Sequence, residues 1–281
     1  MNALEVKNLN KSYKGFNLDN VSFSLPQGGI MGLIGENGAG KSTTIKLIMN
    51  SIRRDSGEIT VLGKDNNTDF TRTKEDIGVV LDEAYYPECM TPVQINKCLK
   101  YTYRNWSEKQ FFDYMEKFGL PLKKSFKEFS RGMKMKLSIA AAMSHNAKLL
   151  ILDEATSGLD PMAREDILNI FYDYTREENH TILISSHIIS DLEKLCDYIT
   201  FIHKGKVLFS EEKDQLLEDY AILRCGNEDL KRIPKEQILG KRSSAYSTEV
   251  LVKRSKELRD FNLDKAGIED IILLMTKKEV A

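Results

Sequence analysis

No stretch of this sequence approaches the roughly 18 to 20 consecutive apolar residues that a bilayer-spanning helix needs. The longest runs, such as Leu149–Leu152 and Ile271–Met275, have the length of a buried strand or of one helix face. An excess of charge of either sign is also lacking: 41 basic side chains stand against 42 acidic ones, a net of −1. Nucleic-acid binders draw affinity from surplus Lys and Arg facing phosphates, so this balance argues against that class. The opening residues, MNALEVKNLNKSYKG, contain no apolar segment of the kind a secretory signal carries. Cysteine is scarce and scattered. Cys89, Cys98, Cys196 and Cys225 form no C-x-x-C pair and have no His at ligand spacing, which predicts reduced, mostly buried thiols and not a disulfide framework or metal site. There is no internal repeat, no low-complexity tract and no long Gly/Ser or Pro linker. These absences predict a soluble, intracellular chain with no direct insertion into membrane.

What is present is enough for a core. Hydrophobic residues make up 41% and charged residues 30% of 281 positions, which excludes disorder and allows one large domain with or without a small one. Short apolar runs alternate with helical patterns from about residue 29 to 205, the signature of a mostly parallel sheet flanked by helices. The predicted strands are Gly29–Gly35, Ile77–Leu81, Lys148–Asp153, Thr181–Ser185 and Tyr198–His203, each apolar enough to be buried on both faces. Leu4–Leu9 and Leu18–Leu25 instead alternate apolar and polar residues, as antiparallel strands with one wet face do. Pro26-Gln27-Gly28-Gly29 is the turn that follows. From Pro92 to Met143 the pattern is helical, with Pro92 and Ser107 as helix starts. After about Tyr220, AILRCG, TEVLVKR and IEDIILLMTKKEVA predict two or three short strands and a last helix, a small unit whose core need not be independent.

Two segments carry chemistry. Gly35-Glu36-Asn37-Gly38-Ala39-Gly40-Lys41-Ser42-Thr43 matches G-x-x-x-x-G-K-[ST] between a predicted strand and a predicted helix. Its glycines let the backbone curl so that successive N–H groups face phosphate oxygens, and the helix adds its positive dipole end. Lys41 supplies a point charge to the β- and γ-phosphates, and the Ser42 hydroxyl is a Mg²⁺ ligand. The second segment is Leu149-Leu150-Ile151-Leu152-Asp153-Glu154, a buried strand delivering two carboxylates to its C-terminal end, where ligands bind in open α/β sheets. Asp153 is placed to hold Mg²⁺, and Glu154 to orient or deprotonate an attacking water. Alone, such a pair of acids reads as a solvated strand end; after a phosphate loop it reads as its partner.

Those two segments, with Ser130-Arg131-Gly132-Met133-Lys134 between them and Ser157-Gly158-Leu159-Asp160 and His187 after them, resemble the ATP-binding subunit of an ABC transporter. The resemblance covers about residues 4 to 210. It implies a head-to-tail dimer around two ATP molecules, the signature segment of each subunit capping the γ-phosphate held by the other. The usual signature is L-S-G-G-Q; here it reads Phe129-Ser130-Arg131-Gly132-Met133, keeping the Ser130 hydroxyl and the Gly132 backbone but departing at Arg131 and Met133. A plain helix N-cap at Ser130 is the competing reading. Asp160 implies a contact across the dimer, though Asp160-Pro161 is also an ordinary helix start. The family places a γ-phosphate-touching histidine where His187 stands; His145, His180 and His203 read as structural. An aromatic stacks on adenine at the place of Tyr13, with Phe16 as near competitor. A Gln that senses Mg²⁺ and the membrane partner is replaced by Asp82 or, less directly, Glu83. Ala84–Thr91 and the helical insert imply a groove for a helix of the membrane subunit.

The expectation is an α/β P-loop NTPase with a mostly parallel core sheet, an N-terminal antiparallel β subdomain and a helical insert over about 84–146. The ATPase domain is expected over 1–214 and an α+β accessory unit over 215–281. The resemblance implies an ATPase that uses ATP and Mg²⁺ and works as a homodimer or heterodimer. Its partner is a separate transmembrane permease, and its place is cytoplasmic, on the inner face of the membrane. Among ABC ATPases, S-x-G-M-K and the short C-terminal unit resemble exporters of peptides, antibiotics or drugs. A soluble ABC ATPase acting on ribosome or DNA is the alternative.

Overall fold

The computed structural model describes residues 1–68, 70–82, 86–176, 180–226, 230, 232–243, 248–258 and 261–277. The chain divides into two compact units, Met1–Ser210 and Glu211–Ala281.

The first unit contains two sheets. β1 (Asn2–Tyr13), β2 (Phe16–Pro26), β4 (Ser56–Val61) and β5 (Lys64–Asp65) form an antiparallel sheet in the order β2-β1-β4-β5. Leu4, Val6 and Leu9 of β1 and Leu18, Val21, Phe23 and Leu25 of β2 are buried. Val6 and Leu9 are three apart and would face opposite sides of a regular strand. A register shift between them, with Asn8 at φ 49°, returns Leu9 to the core. Gly57 of β4 crosses that bulge so closely that a Cβ would lie 2.4 Å from the Asn8 carbonyl oxygen.

The second sheet comprises β3 (Ile30–Ile34), β6 (Ile77–Val80), β7 (Leu149–Asp153), β8 (Thr181–Ser186), β9 (Tyr198–His203) and β10 (Lys206–Glu212) in the order β10-β9-β3-β8-β7-β6. β9, β3, β8, β7 and β6 run parallel, so their C-terminal ends share one edge. β3, β7 and β8 are buried throughout, which is why their sequences are continuously apolar. α1 (Lys41–Ile48) contributes Ile45, Leu47 and Ile48 to a core shared by residues of both sheets. α6 (Pro161–Thr175) and α7 (Ile189–Leu195) connect the later parallel strands. A four-residue helix, α2 (Phe70–Thr73), precedes β6.

Between β6 and β7 lie α3 (Pro92–Thr102), α4 (Glu108–Lys117) and α5 (Arg131–Met143). Thr91 and Gln94 form a reciprocal capping box on α3, and Ser107 caps α4. The helical pattern is broken from Phe118 to Ser130, where Gly119 adopts φ +63° and Pro121 follows. Asn96 fastens the insert: it accepts from the Trp106 indole N–H at 2.8 Å and donates to Glu108 at 2.8 Å.

The second unit places β11 (Tyr220–Cys225), β12 (Ile238–Ser243), β13 (Thr248–Lys253) and β14 (Leu263–Lys265) in an antiparallel sheet, order β12-β13-β11-β14. It begins with α8 (Lys213–Asp219) and ends with α9 (Ile268–Lys277). Ala221, Leu223, Val250, Val252, Ile233 and Leu258 form its own buried cluster. α9 packs on β12 and β13 so tightly that a Cβ on Gly240 would sit 1.9 Å from the Leu274 carbonyl oxygen. The sheet therefore has four strands, not two or three. Both additional strands are rich in charge, and β14 has only three residues.

The thiols also differ from expectation. Cys196 and Cys225 are buried, but Cys89, in the turn before α3, and Cys98, on α3, are exposed.

Candidate functional site

The shared edge of the parallel sheet is where the motifs converge. β3 ends at Ile34 and the chain curls through Gly35–Gly40 into α1, with Gly38 at φ +82° and Gly40 at φ +118°. Side chains are excluded at two points of the curl. A Cβ at Gly35 would lie 2.5 Å from the Ile202 carbonyl oxygen, and one at Gly40 would lie 2.6 Å from Leu18 Cδ2. Gly40 is the N-cap of α1, no side chain caps the helix, and its first turn carries no acid. The uncapped N–H donors and the dipole end therefore suit an anion.

Lys41 is buried, and its Nζ donates to the Gly35 carbonyl at 2.6 Å. It lies 3.5 Å from Glu154 Oε1. Glu154 is the first residue beyond β7 and adopts φ +52°, a strained conformation for a side-chain-bearing residue. Its N–H is held by the Ser185 carbonyl and by Ser185 Oγ, each at 3.1 Å. That twist carries the carboxylate between two nitrogens: Lys41 on one side and His187 Nδ1, 2.7 Å from Oε2, on the other. Asp153 is buried beside it and accepts from Ser185 Oγ at 2.5 Å.

A cleft of about 590 Å³ opens over these groups. It is lined by Glu36, Asn37, Gly38, Gly40, Lys41, Ser42 and Thr43 of the loop, by Gly15 and Phe16 of the β1–β2 hairpin, and by Asp82 and Glu154. Its size lies within the usual range for small-ligand sites. Ala39 stiffens the loop from within: its N–H donates to the Glu36 carbonyl at 3.0 Å, and its carbonyl accepts from Gly205 N–H at 3.0 Å.

Several predicted site residues stand outside this cleft. Tyr13 is half exposed at the end of β1, with the Lys11 ammonium 5.4 Å from its ring centroid; its cross-strand neighbour Phe16 is the aromatic that lines the cleft. Ser130 is the N-cap of α5, accepting from the Met133 N–H at 3.3 Å. Gly132 lies in the first turn of α5, where an added Cβ would meet Leu159 Cδ2 at 3.5 Å. Asp160 caps α6 by accepting from the Ala163 N–H at 3.0 Å, and that bond holds its carboxyl below the usual range. Glu83 and the first part of the aromatic stretch, Ala84 and Tyr85, lie outside the described residues. His145 and His180 are structural. His145 is 3.2 Å from the Ile77 carbonyl and stacks on Tyr103, and His180 lies 3.1 Å from the Tyr174 carbonyl.

Two side chains that hold residues of the site were given no such role from the sequence. Ser185 fixes both the Asp153 carboxylate and the Glu154 N–H; its signal is a hydroxyl at the end of an otherwise apolar buried strand, which must find a partner. Arg131 donates to Asp82 at 2.8 Å, a contact between residues 49 apart that no local pattern announces.

The family described as ABC transporter matches residues 18–157. The lantibiotic transport ATP-binding protein SrtF of Streptococcus pyogenes is 36% identical over 84% of this chain and 97% of its own length. The bacitracin transport ATP-binding protein BcrA of Bacillus licheniformis is 31% identical over 89% of this chain and 78% of its own. A solved structure described as an ATP-binding subunit of an ABC transporter superposes with a TM-score of 0.70 at 29% identity, covering 76% of this chain and 91% of that one.

Proposed function

The chain belongs to the ABC transporter family of ATP-binding proteins and is an ATPase, and from that premise we propose that it is the energy-coupling subunit of a membrane exporter. The observation that carries the site assignment is the Glu154 carboxylate, set between Lys41 and His187 at the mouth of a phosphate loop.

In the proposed reaction, the loop N–H groups, the α1 N-terminus and Lys41 hold the triphosphate. Glu154 accepts a proton from water as the water oxygen bonds to the γ-phosphorus and the bond to the β–γ bridging oxygen breaks, leaving ADP and phosphate. His187, whose Nδ1 is 2.7 Å from Glu154 Oε2, keeps the carboxylate aimed into the cleft. Phe16, with Tyr13 beyond it, offers an aromatic wall for the adenine.

The donor set also suits Mg²⁺. Ser42 and Asp82 line the cleft and Asp153 stands behind it, whereas no group of three or more His, Cys, Asp or Glu side chains forms a metal cage among the described residues. Such a set fits a cation that arrives on nucleotide phosphates. When bound, Mg²⁺ supplies neutralising charge to the phosphate oxygens.

Ser130, Gly132 and Asp160 sit at the N-termini of α5 and α6, outside the chain's own cleft. This supports a dimer in which they complete the site of a second ATPase subunit, whether an identical chain or another. The energy is delivered to a separate transmembrane permease, which places the subunit on the inner face of the membrane; no helix among the described residues is long and apolar enough to cross one. Relatives named for lantibiotic, bacitracin and linearmycin transport or resistance support a peptide, antibiotic or drug as cargo. Their names favour export over a soluble role on ribosomes or DNA.

The test is Glu154→Gln, which keeps the shape and removes the base. Turnover is expected to fall about 10²- to 10⁴-fold, with ATP still bound and the protein eluting as a dimer in its presence. A monomer with full turnover refutes both the base and the closing mechanism.

A further inference from the structure

Two of the places where this chain departs from the pattern of the family it resembles meet each other. Arg131, in the middle of the signature segment, donates through Nη2 to Asp82 Oδ1 at 2.8 Å, and Asp82, ahead of Glu83, is the residue read in place of the family's Gln. Asp82 lines the same cleft as Ser42 and Glu154. Arg131 is the first residue of α5, whose first turn holds no acid. A cation there is opposed by the helix dipole, and Asp82 is the anion that answers it. The same side chain lies along the turn before α6: a Cβ added at Gly158 would stand 3.4 Å from Arg131 Cδ and Nε. One guanidinium thus spans the end of β6, the start of α5 and the turn after β7.

We propose that Arg131 is a positioning residue for the ATPase reaction: it holds the Asp82 carboxylate at the rim of the cleft and competes for it with the divalent cation that enters with the nucleotide. The inference rests on the cleft being the Mg²⁺–ATP site proposed above. A carboxylate oxygen given to a guanidinium is withdrawn from a cation, and the guanidinium's own charge repels one. An amide at position 82 would make a much weaker pair, so the hold of Arg131 depends on a carboxylate there. Both side chains are more than half exposed, so screening keeps the effect modest.

The experiment titrates Mg²⁺ against a fluorescent ATP analogue, by equilibrium binding without turnover, in the wild type, Arg131→Gln, Arg131→Lys, Asp82→Asn and the Asp82→Asn/Arg131→Gln double variant. Arg131→Gln is expected to lower the half-saturating Mg²⁺ concentration about two- to fivefold. Arg131→Lys, which keeps the charge, is expected to return it toward the wild-type value. In the Asp82→Asn background only the repulsion by the guanidinium charge is left to relieve, so Arg131→Gln is expected to have a smaller effect. The proposal is overturned if Arg131→Gln leaves the Mg²⁺ dependence unchanged or weakens it. It is overturned equally if the shift is the same with Asn at position 82. Failure of the wild type to bind the analogue at any Mg²⁺ concentration overturns the cleft assignment itself, which is a distinct result from binding that is indifferent to Arg131.

Discussion

Replacing Ser185 by Ala removes a single hydroxyl that serves two acidic residues, and the structure allows the cost to be worked out. Ser185 is fully buried at the C-terminal end of β8, in register with Asp153 of β7. Its Oγ donates to Asp153 Oδ1 at 2.5 Å and accepts from the Glu154 N–H at 3.1 Å. The second bond has a substitute, because the Ser185 carbonyl also accepts from that N–H at 3.1 Å. The first does not come free: a buried carboxylate loses a donor, worth about 1.5–3 kcal/mol for a hydrogen bond to a charged group. In a unit of this size each kcal/mol moves the melting temperature by about 2–4 °C, so Ser185→Ala is expected to lower Tm by about 3–12 °C. Scanning calorimetry reads this on the transition that ATP raises, which identifies the nucleotide-binding unit. In an Asp153→Asn background the lost bond is a neutral one worth only about 1 kcal/mol, so the same substitution is expected to cost less there. Steady-state kinetics complete the test: kcat falls, since Asp153 and Glu154 lose their common support, while nucleotide affinity, carried by the loop and Lys41, changes little. A Tm shift under about 1 °C, or an equal shift in both backgrounds, refutes the assignment of Ser185 as the support of the acidic pair.

Two further outcomes follow from contacts outside the site. Gly240→Ala forces a methyl group against the Leu274 carbonyl, and overpacking of this kind costs about 1–3 kcal/mol. Amide exchange by mass spectrometry is expected to accelerate across β12 and α9 while β3 keeps its protection; unchanged exchange in β12 would show that α9 does not lie on it as described. His145 has its pKa held below the ordinary 6.5, chiefly by burial and against the opposing Ile77 carbonyl. The unfolded chain takes up a proton near pH 6.5 and the folded chain only at lower pH. This contribution to stability is therefore complete above pH 6.5 and is lost as the pH falls below it. An imidazole titration by NMR is expected to give a midpoint under 6.5, and His145→Gln to flatten the stability profile in that window. A midpoint at or above 6.5 would sink the argument.

The central strands were legible because burial on both faces leaves a continuous apolar run; Tyr198–His203 reads as a strand from end to end and is one. The phosphate loop was legible because its chemistry depends on residues at fixed short spacing. Helix starts at Pro92 and Ser107 were legible because capping is local, and Ser107 proves to be the cap itself. What escaped is what depends on pairing across the chain. Ser185 gains its role from being opposite Asp153 in a parallel register, and Arg131 from the approach of Asp82. β12 and β14 escaped for another reason: Lys241, Arg242 and Asp264 lie on strands whose charged positions face outward, so hydropathy alone does not mark them. The choice between Tyr13 and Phe16 turns on hairpin register, which places them opposite each other and gives the cleft wall to Phe16.

β3, the strand that launches the phosphate loop, sits between β8 and β9, and the loop itself is clasped by the peptide of Gly205. Every one of those supports lies at least about 145 residues downstream of it. A nascent chain that has emerged as far as residue 157 already holds the glycine loop, Lys41, Asp153 and Glu154, yet both edges of β3 are still unpaired. At about 5–20 residues per second, translation needs several seconds more to deliver β8, β9 and the Gly205 turn. Competence to hold a nucleotide is thus acquired only once the chain has emerged past Gly205, long after the loop itself. Until then a strand that ends up wholly buried is an open template that the growing polypeptide must keep from mispairing.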